Sequence, residues 1–254
     1  MLRKRIIFTL IYSNGHFMQS RNFRLQKVGD INWLEKNYKF QSIAFALDEL
    51  IVLDATKTEK SIATFAQIVN RLVDDVFIPI AAGGGIRSIE DAELLFNNGA
   101  DKIVLNTPLV EDQLLVRELV KKYGSQSIIA SVDYKKVNGI CEVYIKNGTE
   151  RIEHSLVDYL KYLETLQVGE IYLNSINQDG TGFGYDFETI CEVVDTINTP
   201  LIIAGGAGNE KHLNEGLEMS GISAVATANL FNFIGDGLPQ ARGKIFNNGK
   251  NIRK

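Results

Sequence analysis

Gly83-Gly84-Gly85 and Gly205-Gly206-Ala207-Gly208 each close a short apolar run, and they stand 122 positions apart (83 to 205). Glycine there lets backbone N–H groups approach an anion with no Cβ in the way. The first cluster also opens a helix at Ser88-Ile89-Glu90-Asp91, whose start adds partial positive charge. Gly84 and Gly85 are expected phosphate ligands, with Asn106 and Thr107 donating from the end of the next apolar run. Gly205 and Gly206, with Ala228 and Asn229, form the corresponding second site. One glycine cluster alone reads as a tight turn. Two at related positions imply a ligand with a phosphate at each end.

Eight apolar, β-branched runs place these residues: Ile6–Ile11, Glu49–Leu53, Ile78–Ala82, Lys102–Leu105, Ser127–Val132, Glu170–Leu173, Leu201–Ala204 and Ala224–Thr227. Their continuous apolar character suits strands covered on both faces. Helical stretches alternate with them; Asp91 to Phe96, for instance, ends at Asn98-Gly99. Eight such units over 254 residues predict one α/β domain, an eight-stranded parallel β/α (TIM) barrel, with an open doubly wound sheet as the alternative. Internal matches at 99 to 221 and 6 to 128 share the 122-residue offset, which predicts two half-barrel repeats, about 1–122 and 123–254. Asn147-Gly148 between strand-like runs predicts a β-hairpin inserted over about 134–155.

The remaining chemistry is limited. A net charge of −4 argues against nucleic-acid binding. No apolar run is long enough to cross a bilayer, and the first residues are too briefly apolar for a secretory signal. Cys141 and Cys191 have no metal-ligand spacing, and His16, His154 and His212 form no cluster. No metal or cofactor is indicated, and reduced thiols in a cytoplasmic setting are the default expectation.

Nearly the whole chain resembles the HisF family, the cyclase subunit of imidazole glycerol phosphate synthase. The resemblance is carried by Lys4-Arg5-Ile6-Ile7, Asp48-Glu49-Leu50, Gly83-Gly84-Gly85-Ile86, Gly99-Ala100-Asp101-Lys102, Asn106-Thr107, Asp179-Gly180-Thr181 and Gly205-Gly206-Ala207-Gly208. It implies a lyase-type subunit that receives ammonia from a glutaminase docked at the barrel floor. It also implies addition of that ammonia to a phosphoribulosyl-formimino ribonucleotide, in a heterodimer. By the same resemblance Asp133 is a catalytic aspartate, Asp179 and Gly180 join the phosphate site, and Arg5, Glu49, Lys102 and Glu170 form a charged ammonia gate at the amino ends of alternate strands. Asp101 then contacts the glutaminase.

The family has a second catalytic aspartate on strand one. This chain has Ile11 there, 122 positions before Asp133, and no Asp or Glu precedes Asp30. Gln19 stands where the family's first loop carries a lysine. Asp54, ending strand two, is the possible substitute acid or base. A kept gate beside a broken acid–base pair points to a divergent subunit with a different acceptor. Its resemblance to divergent members in bacterial surface-polysaccharide clusters implies that it supplies ammonia for amidination of a surface sugar, with a third amidotransferase protein as partner. The alternatives are the ordinary cyclase of histidine biosynthesis and a non-catalytic phosphate-binding scaffold.

Overall fold

The computed structural model describes residues 3–38, 45–229, 231–233 and 237–247. Its strands are β1 (Arg5–Ser13), β2 (His16–Arg21), β3 (Arg24–Gly29), β4 (Glu49–Asp54), β5 (Ile80–Gly83), β6 (Lys102–Leu105), β7 (Ile128–Val137), β8 (Ile140–Ile145), β9 (Glu150–Ser155), β10 (Glu170–Ser175), β11 (Leu201–Ala204) and β12 (Ile222–Thr227). Eight of them, β1, β4, β5, β6, β7, β10, β11 and β12, pair in parallel in that order. β12 returns to β1 in the register Arg5↔Ala224 to Phe8↔Thr227. The sheet therefore closes into a TIM barrel, and the open doubly wound alternative is excluded.

Pleating divides each strand between two cores. Ile7, Ile51, Ala81, Ile129 and Ile202 fill the barrel interior. Ile6, Phe8, Leu50, Val52 and Ile103 face the surrounding helices. That two-sided burial is why the barrel strands read as unbroken apolar runs. On one outer face the helix Ile62–Asp75, capped by Ser61, buries Phe65, Ala66, Val69 and Leu72.

Two barrel strands run past the rim. β1 continues into an antiparallel ribbon with β2 and β3, and β7 into one with β8 and β9. Asn14-Gly15 and Asn138-Gly139, all at positive φ, turn the first strand of each ribbon. That is the backbone that two-residue hairpin loops require.

Candidate functional site

A cavity of about 1020 Å³ opens at the carboxyl ends of the barrel strands. Both glycine clusters line it, with Asn106, Thr107, Ala228 and Asn229 beside them. At Gly84 and Gly206 φ is +109° and +103°. A Cβ at Gly84 would strike the Asp54 carbonyl, and one at Gly206 the Gly184 carbonyl. Only glycine fits either position.

The first cluster has cations near it that the sequence reading missed. Lys60 and Arg87 line the cavity. Lys60 Nζ donates to the Asp54 carbonyl at 2.5 Å, and its stem lies against Gly85. Burial lowers the Lys60 pKa. Their counterparts 122 positions on are Gly182 and Asn209 (60 to 182, 87 to 209), so the second cluster lacks a cation at both places. Lys60 immediately precedes the helix cap Ser61, and Arg87 follows the glycines by two residues; both were legible as positions, not as neighbours.

The helix starts offer less than expected. The Arg87 and Ser88 N–H groups donate to the Asp91 carboxylate at 2.8 and 3.1 Å, closing a capping box at the helix Ile89–Asn97. Gly208 N–H donates to His212 Nδ1 at 3.2 Å. Those donors are occupied within the protein.

Asp133 ends the inward row of β7, after Ile129 and Ser131, and is buried. Its carboxyl accepts from Asn174 Nδ2 at 3.0 Å and from Asn106 Nδ2 at 3.2 Å. Burial, reinforced by the nearby charge of Asp179 and opposed by the Asn174 hydrogen bond, pushes its pKa up to about 7. A carboxyl there holds or releases a proton near neutral pH. Asn106 also donates to the Ser131 carbonyl at 3.0 Å, so its amide N–H groups hold the β7 end.

Asp179, expected at the phosphate site, lines the cavity and also ties down the ribbon beside it. Its carboxylate accepts from Ser20 Oγ at 2.5 Å and from Phe23 N–H at 3.0 Å, fixing the β2–β3 ribbon over the mouth. Burial raises its pKa, against those two hydrogen bonds. A second anion beside a carboxylate is disfavoured, and Gly180, packed on the Ser20 carbonyl, serves the same ribbon contact. Phe23 in turn lies against Gly148 in the turn of the other ribbon. Gln19, Ser20 and Phe23 from one ribbon and Lys146, Asn147 and Thr149 from the other line the cavity.

At the end of β1, Ile11 pairs with Leu53 of β4, and both line the mouth. Asp54 falls on the other pleat, with Leu50 and Val52. One of its oxygens accepts from Thr56 N–H at 2.9 Å. It lines the rim, yet it does not share the inner face of Ile11 and Asp133, which is a poor placement for a substitute acid or base.

The floor holds four charges in a cycle. Arg5 Nη1 meets Glu49 at 2.8 Å, Lys102 Nζ meets Glu49 at 3.0 Å and Glu170 at 2.7 Å, and Arg5 Nη2 meets Glu170. They stand on β1, β4, β6 and β10. Arg5 and Glu49 therefore come from adjacent barrel strands, not alternate ones. β4 enters the barrel one layer higher, Glu49 lying opposite Ile7, which lets neighbours reach each other across the axis. Burial raises the Glu49 pKa despite Lys102. At Glu170 burial is outweighed by the hydrogen bond and charge of Arg5, and the pKa is lowered. Nearby, Asp101 is exposed and accepts from Ile80 N–H at 2.8 Å.

Fold and site together define a β/α-barrel protein with a two-sided mouth and a charged floor on its axis. A family model described as histidine biosynthesis protein matches residues 12–235. A Parasynechococcus marenigrum protein, provisionally described as imidazole glycerol phosphate synthase subunit hisF2, is 44% identical over 95% of this chain and 90% of its own. The imidazole glycerol phosphate synthase subunits HisF of Pyrobaculum aerophilum and Exiguobacterium sibiricum are 38% and 32% identical, covering 94% and 100% of this chain and 93% and 100% of theirs. The chain belongs to the HisF family. Among the described residues no helix is long and apolar enough to cross a membrane.

Proposed function

We propose that this chain is the barrel subunit of a glutamine-dependent complex. It takes ammonia through its floor from a docked glutaminase and binds a ligand with phosphate at both ends across its mouth. The observation that carries the reading is the closed Arg5–Glu49–Lys102–Glu170 cycle beneath a mouth whose strand-one end is Ile11. Phe45 and Phe77, just before the amino ends of β4 and β5, are exposed at 86% and 80%, which suits a protein surface against that floor.

Forming an imidazole ring needs protons moved on opposite faces of the substrate. Asp133 serves one face; Ile11 serves none. Ammonia delivered here then goes to a different acceptor, a sugar amidinated with the help of a third protein. Adding a glutaminase subunit of the HisF-partner type, with glutamine, should give a stable complex whose glutaminase rate rises when candidate phosphorylated ligands bind. No complex with any such glutaminase would sink the proposal.

A second reading is the imidazole glycerol phosphate synthase activity named for the relatives, with this chain as its cyclase. The Asp133 carboxyl, with its pKa near 7 and two amide partners, favours it. Under that reading Asp133 moves both protons, or water replaces the missing group. Ammonium-driven turnover of the phosphoribulosyl ligand separates the two.

A further inference from the structure

Above the floor charges the barrel axis crosses an apolar layer that includes Ile7, Ile51, Ala81, Ile129, Ile202 and Ala226. On its mouth side, Tyr172 of β10, in register with Ile202, and Thr9 of β1, in register with Ile51, reach across the interior, and their hydroxyl oxygens are 3.1 Å apart. The two strands are not neighbours; β11 and β12 lie between them. Thr9 is 1% exposed and Tyr172 4%. Both line the mouth cavity, whereas the six residues just named do not. The cavity therefore ends on this pair, with Val104 beside it.

We propose that Thr9 and Tyr172 form an inner gate, a phenol ring latched by one hydrogen bond that closes the axis between the apolar layer and the mouth. It rests on the ammonia path proposed above and adds a second checkpoint to it. The apolar layer admits neutral ammonia and rejects ammonium, because an unpaired charge is costly there. The two hydroxyls are the first polar groups beyond that layer, with Ser131, in register with Tyr172, beside them and Asp133 two residues further along β7. Each can accept an N–H and donate to the ammonia lone pair. Burial raises the Tyr172 pKa, so the phenol keeps its proton and stays a donor. Ala204, Ala224 and Ala226 face the interior as well, so the residues beside the ring on β11 and β12 are small.

A ring that only fills space needs no hydroxyl; a gate needs its latch. That difference sets the test. With Cys141→Ser and Cys191→Ser removing the native thiols, Ala226→Cys places a reporter in the apolar layer, with Ala81→Cys as the second reporter should the first fail to fold. Labelling of the isolated chain by methyl methanethiosulfonate should be slow. Thr9→Val and Tyr172→Phe, each nearly isosteric, should speed it about threefold to tenfold, the shift expected from losing one hydrogen bond, without moving the unfolding temperature by more than a few degrees. Tyr172→Ala should speed it further. Labelling that is already fast in the parent, unchanged in both isosteric variants, or faster only in step with lost stability would overturn the gate. Failure of any glutaminase to bind would remove the ammonia reading and leave the labelling result standing, so the two failures are distinguishable.

Discussion

The floor and the mouth of this barrel hold carboxyl groups in opposite surroundings. At the floor Glu170 lies between Arg5 and Lys102, and its pKa falls. At the mouth Asp133 has two neutral amides for partners, and its pKa rises to about 7. Both are inward-facing strand residues. Partners and burial decide the rest: two cations outweigh burial at Glu170, burial outweighs them at Glu49, and Asp133, held only by amides, can exchange a proton at neutral pH.

Asp133→Asn should break the mouth most completely. It keeps the shape and one of the two amide hydrogen bonds but removes the proton carrier, so ammonia-dependent turnover should fall about 10²–10⁴-fold. Ligand KM should stay nearly unchanged. A loss confined to KM would make Asp133 a binding group.

The floor should answer in stability. Glu49→Ala leaves Arg5 and Lys102 short of a partner in a mostly buried ring, and about 3 kcal/mol of unfolding free energy should be lost, read from denaturant midpoints. A change near zero would mean that water reaches and screens the ring. Uncoupled ammonia release from the complex is the accompanying readout.

Acid should separate the two regions by sign. The Glu170 pKa is lowered on folding, so its stabilisation is complete above the ordinary carboxylate range, about 4.3, and is lost as pH falls below it. The Asp133 pKa is raised, so its contribution is complete below the unfolded value, about 3.9, and is lost as pH rises towards about 7. Asp133→Asn should flatten the stability slope between about 4 and 7 and leave the acid limb intact. An unchanged slope would place the Asp133 pKa near its ordinary value.

The smallest effect belongs to the ribbon over the mouth. Asp179→Asn weakens the hydrogen bonds from Ser20 and Phe23, and proteolysis within β2–β3 should quicken by a few-fold, about the difference between a hydrogen bond to a charged group and one to a neutral group. Equal cutting rates would show that Gly180 packing alone fixes the ribbon.

The barrel was legible because each barrel strand is apolar on both faces, and the glycine clusters because a 122-residue repeat set them at matching strand ends (83 to 205). Ile11 was legible for the same reason, as the partner of Asp133 in that repeat. The β2–β3 ribbon was not read, although Asn14-Gly15, which turns β1 into β2, signalled a hairpin there; its polar strands lack the apolar alternation that marks a half-buried strand. The roles of Asp179, Asn106 and Lys60 were hidden for another reason. Each depends on a partner distant in sequence or on the backbone of another loop, and spacing alone does not show which of two acceptors a donor reaches. The placement of Asp54 turned on a single pleat step at a strand end, where boundaries are least readable.

Ile11→Asp tests the central claim most directly, by ammonium-driven formation of imidazole product from the phosphoribulosyl ligand, with the unsubstituted chain beside it. The unsubstituted chain should be slow, and restoring the second carboxyl should speed it about 100-fold or more. Turnover near 10 s⁻¹, typical of enzymes, in the unsubstituted chain, with little gain from Ile11→Asp, would contradict the account.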